Sequence, residues 1–207
     1  SSILLAELSL VPTLTQADQL ERAETPQAMA QRIDELINAR LQAEGVQPTA
    51  QSTDAEFLRR AYLDLTGKIP TVSQARGFIA DNDEQKRAKL IDELLNRAGH
   101  ASHMANRWMA FLLPPSTDLR RLGGGVQFRN WLADQFADNQ PYDAVVRDIL
   151  LARGQFNQQG PALFYTALEL KPEELAAATS RVFLGVQIQC AQCHDHPFDE
   201  WSQRDFW

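Results

Sequence analysis

Apolar side chains recur at three- and four-residue spacing in one short run after another, and each run is bracketed by residues that start or stop a helix. Thr25-Pro26 supplies a capping side chain followed by proline in the first turn, and Met29, Ile33, Leu36, Ile37 and Leu41 then mark one face as far as Gly45. Thr53 and Glu56 form a capping box ahead of Phe57, Leu58, Ala61, Tyr62 and Leu65, closed by Gly67. A short helix is expected near residues 72–80, after the Ile69-Pro70 turn. Asp83 can cap the next, with Leu90, Ile91, Leu94 and Leu95 turned inward and Gly99 at its end. Met104, Trp108, Phe111 and Leu112 form the stripe of a helix that Pro114-Pro115 breaks. Phe128, Trp131, Leu132, Ala133 and Phe136 mark another, and Pro141 opens one carrying Val145, Val146, Ile149 and Leu150. Pro172-Glu173-Glu174 opens the last long helix, through Leu175, Thr179, Val182 and Phe183 to Gly185. Two-residue alternation is nearly absent, Val186-Gln187-Ile188 being the one strand candidate. The pattern predicts a mainly α fold, an irregular bundle of about seven to eight helices joined by long loops.

Residues 1–24 read as an N-terminal extension and 25–207 as the helical domain. The apolar start from Ser1 to Pro12 is interrupted by Glu7 and lacks a basic leader, so it is not an export signal as it stands. Residues 46–52 read as a linker, Gly123-Gly124-Gly125 as a mobile loop without a phosphate-binding pattern, and 154–160 as a Gly/Gln/Asn loop. Ten Phe, four Trp and three Tyr are enough for a core without a cofactor, since each buries roughly 150–250 Å². A net charge of −7 argues against a nucleic-acid partner, and no apolar run approaches a transmembrane span. The aromatic ending Asp205-Phe206-Trp207 suggests a piece of a larger multidomain protein.

Both cysteines of the chain fall in Cys190-Ala-Gln-Cys193-His194, the CxxCH attachment signature of a covalent c-type haem. Residues three and four apart share a helix face, so one turn can offer both sulfurs to a porphyrin's vinyl groups and His194 to its iron as proximal ligand. The motif therefore points to electron transfer or sensing. A redox dithiol needs a βαβ setting that is not evident, and a structural disulfide or a pair of buried thiols is the plainer alternative. After the motif, His194-Asp195-His196-Pro197-Phe198-Asp199-Glu200-Trp201 gathers histidines and carboxylates. Asp195 or Asp199 can orient the His194 imidazole, as metal-bound histidines usually require. A divalent metal held by the cysteines and His194, with His196 or Asp199 as fourth ligand, is the competing arrangement; the ligand set is incomplete, so the orienting role is preferred. Hydrolysis through His196, Asp199 and Glu200 lacks a nucleophile. No methionine follows the motif, which leaves Met104, Met109, His100 and His103 upstream, and His196 locally, as candidates for a second iron ligand. The spacing of Met104 and Met109 reads more simply as core packing, and His100 and His103 as solvent-facing or capping groups at the start of their helix.

The run from Phe183 to Trp201, with Phe57-Leu58-Arg59-Arg60-Ala61-Tyr62-Leu63-Asp64-Leu65-Thr66-Gly67-Lys68-Ile69-Pro70 and Asn139-Gln140-Pro141-Tyr142-Asp143, resembles the planctomycete secreted cytochrome-c-like domain, the second of the planctomycete cytochrome domain types. The resemblance covers about residues 50–207. It implies a secreted, periplasmic or cell-surface bacterial protein with one covalent haem c, partnered by other domains of the same polypeptide or by a redox protein, and it implies no particular reaction. The alternative is a haem-free structural or interaction domain whose cysteine pair forms a disulfide or a metal clip.

Overall fold

Side-chain caps mark where five of the described helices begin. The computed structural model describes residues 25–154 and 160–207. The expectations for 1–24 and for most of the 154–160 loop lie outside the described residues. The chain divides into two units, 1–51 and 52–207, at the expected linker. In the first unit, α1 (Pro26–Ala43) starts where the Thr25 hydroxyl accepts the Ala28 N–H. Its stripe of Met29, Ile33, Leu36 and Ile37 is exposed, and no residue of α1 is buried.

The second unit opens with α2 (Asp54–Thr66), α3 (Val72–Ala80) and α4 (Lys86–Leu95). Thr53 with Glu56 and Thr71 with Gln74 make reciprocal capping boxes, and Gly67 closes α2 at φ 68°, a left-handed conformation natural to glycine. Leu58, Tyr62, Leu90 and Leu94 form a small core between these helices. Only Leu90 and Leu94 of the expected α4 face are buried; Ile91 and Leu95 look outward. A charged staple ties α4 to the start of α2. The Asp54 carboxylate accepts from Arg87 Nη2 at 2.7 Å and pairs with Lys86 Nζ at 2.6 Å, while the Arg87 guanidinium lies over the Phe57 ring.

α5 runs from Ala98 to Leu112, starting earlier than the expected Met104. Gly99 does not end α4; it lies in the first turn of α5, the helix that buries Ala101 and Ala105. His100 and His103 therefore stand within the helix. Then follow α6 (Leu119–Leu122), α7 (Gly125–Ala137) and α8 (Tyr142–Leu150). The three glycines make a tight joint instead of a loop. Gly123 and Gly124 both have positive φ, and a Cβ on Gly125 would sit 3.3 Å from that of Leu119.

The main core lies along the α5–α7 seam. Leu112, Phe128, Leu132, Ile149, Leu163 and Phe164 are fully buried there. Two of them come from a segment with no periodic signal: a 3₁₀ turn at Gly160–Ala162 running into α9 (Leu163–Ala167). It fits because Gly160 lies against the α7 backbone, where a Cβ would be 2.9 Å from the Gln127 carbonyl oxygen and 3.0 Å from Phe128 Cα. α10 (Pro172–Thr179) and the short α11 (Gln203–Phe206) complete the set. The fold is mainly helical as expected, with no strand among the described residues; Val186-Gln187-Ile188 is irregular. Eleven α-helices stand among the described residues where seven to eight were expected, because α6, α9 and α11 are too short to show a period.

Phe164→Ala is expected to cost about 3–5 kcal/mol, read as a lower urea midpoint, because a fully buried ring leaves a cavity that helix packing cannot close. Hydrogen bonds from Lys86, then from Arg87, hold the Asp54 carboxyl below its ordinary value of 3.8. A carboxylate depressed in this way stabilises above its unfolded pKa and loses that effect as pH falls through its folded one. Asp54→Asn should therefore lower the midpoint at pH 7, and the difference from the parent should disappear as pH falls through the depressed folded value of the Asp54 carboxyl.

Candidate functional site

α10 does not stop at Thr179. It widens into a π turn at Ser180–Leu184, a geometry frequent at functional sites. Gly185 ends the turn in the left-handed region at φ 72°, its N–H on the Ser180 carbonyl. The chain then enters a 3₁₀ turn at Gln189–Gln192. This tighter turn replaces the α-helical turn expected for the CxxCH motif. Its anchor is Ala191, which is fully buried and donates its N–H to the Ile188 carbonyl at 2.9 Å. With the small residue inside, Cys190 and Cys193 on either side of it are exposed, and both are free thiols.

His194 is exposed, with Nδ1 2.7 Å from the Asp195 backbone carbonyl oxygen. A carbonyl can only accept, so Nδ1 carries the proton and the neutral ring keeps its lone pair on Nε2. The Asp195 carboxylate is engaged elsewhere, accepting the Gln203 N–H at 2.9 Å. Asp199 accepts the N–H of Glu200 at 2.9 Å. His196 N–H donates to the Trp201 carbonyl at 2.7 Å, closing the loop between them, and His196 Nδ1 accepts the Phe198 N–H at 3.3 Å. Each expected polar residue is thus placed next to the motif, but its carboxylates hold backbone. Among the described residues no three His, Cys, Asp or Glu side chains come together as a cage for an ion.

The periodicity gave no hint of the clasp on the motif. The Gln203 amide donates to the carbonyls of Gln192 (3.3 Å) and Cys193 (3.2 Å), and Trp207 Nε1 donates to Gln192 at 3.0 Å. Ser202 and Asp205 cap the helix that carries them, and the two Ser202 hydrogen bonds hold the Asp205 carboxyl below its ordinary value. The Ser-x-x-Asp spacing was the available signal. Beside the clasp, an apolar cleft of about 390 Å³ opens between Phe164, Leu175, Leu184, Ile188, Trp201 and Phe206.

The upstream candidates for a second iron ligand are engaged in packing. His100 Nδ1 meets the Leu65 carbonyl at 2.9 Å, and His103 packs on Gly67, where a Cβ would lie 2.4 Å from its ring. Met109 packs against the main core and Met104 is half-buried.

A family model described as PSCyt2, a protein of unknown function (DUF1549), matches residues 32–207. No curated protein and no solved structure matches the chain.

Ser202→Ala should loosen the clasp by about 1 kcal/mol, the usual worth of a cap, which is roughly a fivefold change in local opening. Faster hydrogen exchange across 203–207 and faster thiol labelling at Cys193 are the expected readouts.

Proposed function

The chain belongs to the PSCyt2 family, and on that premise we propose that residues 190–194 hold one c-type haem covalently and that the 52–207 unit serves electron transfer outside the cytoplasm. The observation that carries this reading is the chemistry of the donor set. Two unpaired thiols face outward on either side of a buried alanine, and the next residue is an imidazole with Nδ1 fixed and Nε2 open. A histidine that binds iron needs this arrangement, because its second nitrogen must donate to a carbonyl or carboxylate that sets the ring's orientation and basicity.

Cys190 and Cys193 would hold the porphyrin through sulfur, and His194 Nε2 would hold the iron. Asp195 contributes through its main-chain oxygen, and its carboxylate keeps Gln203 in place on the motif. Trp201, Ile188, Leu184 and Phe206 supply an apolar wall, and burial against such a wall is one of the levers on a haem's potential. When bound, the haem supplies one-electron redox chemistry. His196, whose Nδ1 accepts the Phe198 N–H, would be the local residue for a second iron ligand.

Attachment of c-type haem takes place outside the cytoplasm, so the reading carries a periplasmic, cell-surface or secreted location with it. No helix among the described residues is long and apolar enough to cross a membrane. Partners are then other domains of the same polypeptide or a redox protein. The second reading is a haem-free structural or interaction domain in which Cys190 and Cys193 close a disulfide or hold a metal.

Protein produced with c-haem maturation machinery should show a Soret band that survives denaturation and acid-acetone extraction, and an intact mass raised by one haem. Cys190→Ser with Cys193→Ser should abolish the covalent adduct, whereas His194→Ala should keep the adduct and alter the spectrum. The bare polypeptide mass under the same conditions overturns the assignment.

A further inference from the structure

The segment that closes round the motif turns large apolar side chains outward. Phe198 is 94% exposed in the loop closed by His196 and Trp201, Leu184 is 72% exposed at the end of the π turn, and Trp207 is 70% exposed above the motif's own carbonyl. On the same segment, residues 194–207 carry four carboxylates, Asp195, Asp199, Glu200 and Asp205, against the single cation Arg204. All four are exposed. Three are also fixed: Asp195 by the Gln203 N–H, Asp199 by the Glu200 N–H, and Asp205 by Ser202. Those three charges therefore stay in place on the segment.

Apolar side chains clustered inside a polar rim mark interaction surfaces, and aromatic residues are the ones enriched in such centres. The sign of the rim selects the partner, since complementary potential steers encounter and rejects like-charged surfaces. The stripe on α1 is also exposed, but it has mixed charge and nothing that chooses an occupant.

We propose that the segment 194–207, with Phe198 and Trp207 exposed on it and the carboxylates of Asp195, Asp199, Glu200 and Asp205 beside them in the chain, forms the docking surface for a redox protein with a lysine- or arginine-rich rim. The partner's redox character rests on the haem reading above; the docking does not. The complex is of the weak, rapidly exchanging kind, because a small charged contact beside a redox centre favours quick encounter over long residence.

The probe is a strongly cationic small cytochrome c, titrated against the full-length protein by calorimetry at low and high ionic strength. Binding should be measurable at low salt and weaken by at least tenfold at 0.5 M salt, where the Debye length falls to a few Å. Asp199→Lys with Glu200→Lys should weaken low-salt binding about tenfold or more, and Phe198→Ala about fivefold at either salt concentration. The control is Glu84→Lys with Asp92→Lys, the same change of net charge near and on α4, which should shift binding less than threefold. Equal loss in patch and control variants overturns the proposal, because binding then follows net charge and no defined surface. Hydrogen-exchange protection of 194–207 in the full-length protein without probe also overturns it, and assigns the patch to a neighbouring domain of the same polypeptide. Repeating the titration with Cys190→Ser, Cys193→Ser protein separates the two readings. Unchanged affinity there supports the docking surface, whatever absorbance spectroscopy says of haem; loss of affinity overturns it.

Discussion

Close approach of the Gly160 backbone to α7 is the constraint on which the rest of the larger unit depends. The absence of a side chain at that one position lets the 3₁₀ turn lie on the backbone of Gln127 and Phe128, and this sets Leu163 and Phe164 into the seam between α5 and α7. Phe164 in turn packs edge-on against Tyr165 and tilts against Phe183, whose π turn leads directly into the cysteine motif. The Tyr165 hydroxyl donates to the Leu150 carbonyl and locks α9 to the end of α8. A continuous chain of packing therefore runs from Gly160 to the turn that leads into the cysteine motif. Close-packed interiors transmit such constraints because they have no slack to absorb a displaced methylene.

What the sequence made legible follows from which physics leaves a local trace. The capping box at Thr53, the stop at Gly67 and the proline break after Leu113 are encoded within three or four residues, and each stands where its pattern placed it or within a residue or two. Gly99 misled because glycine inside a helix and glycine after one look alike in sequence, and here it lies in the first turn of α5. α6, α9 and α11 are shorter than the window over which a 3.6-residue period can be counted. The motif itself was fully legible, but its geometry was not. A 3₁₀ turn and an α turn accept the same five residues, and the choice is settled by Ala191 dropping into the core.

The carboxylates of the site give a second lesson about legibility. Two aspartates beside a histidine suggest a carboxylate holding an imidazole, and either would be adequate chemically. The fold instead gives that task to the Asp195 main chain and keeps the side chain for the Gln203 N–H. Short polar side chains compete for nearby backbone donors wherever a loop leaves donors unpaired, and a loop closed by one backbone bond leaves several. Asp199, Ser202 and Asp205 are spent in the same way. The residue types were informative about location, while their partners depended on backbone conformation that no spacing rule expresses.

These two features together bear on how a cofactor could be accommodated. The main core closes on aromatic and aliphatic side chains contributed by α5, α7, α8 and α9, without the motif's sulfurs or imidazole taking part. The motif is held separately, by one buried methyl and by hydrogen bonds from Gln203 and Trp207 to its carbonyls. Small metal-dependent domains collapse when their ligands are removed, because binding and folding free energy are one quantity there. Here the core closes by burial elsewhere, and the thiols and the imidazole are left exposed. An arrangement of this kind keeps both thiols within reach of a modifying enzyme after the chain has folded, and it places the imidazole's open nitrogen on the same exposed stretch. It also accounts for the apolar surface that remains beside the motif: the fold does not need Leu184, Phe198 or Trp207 inside, so they are free to meet whatever binds there.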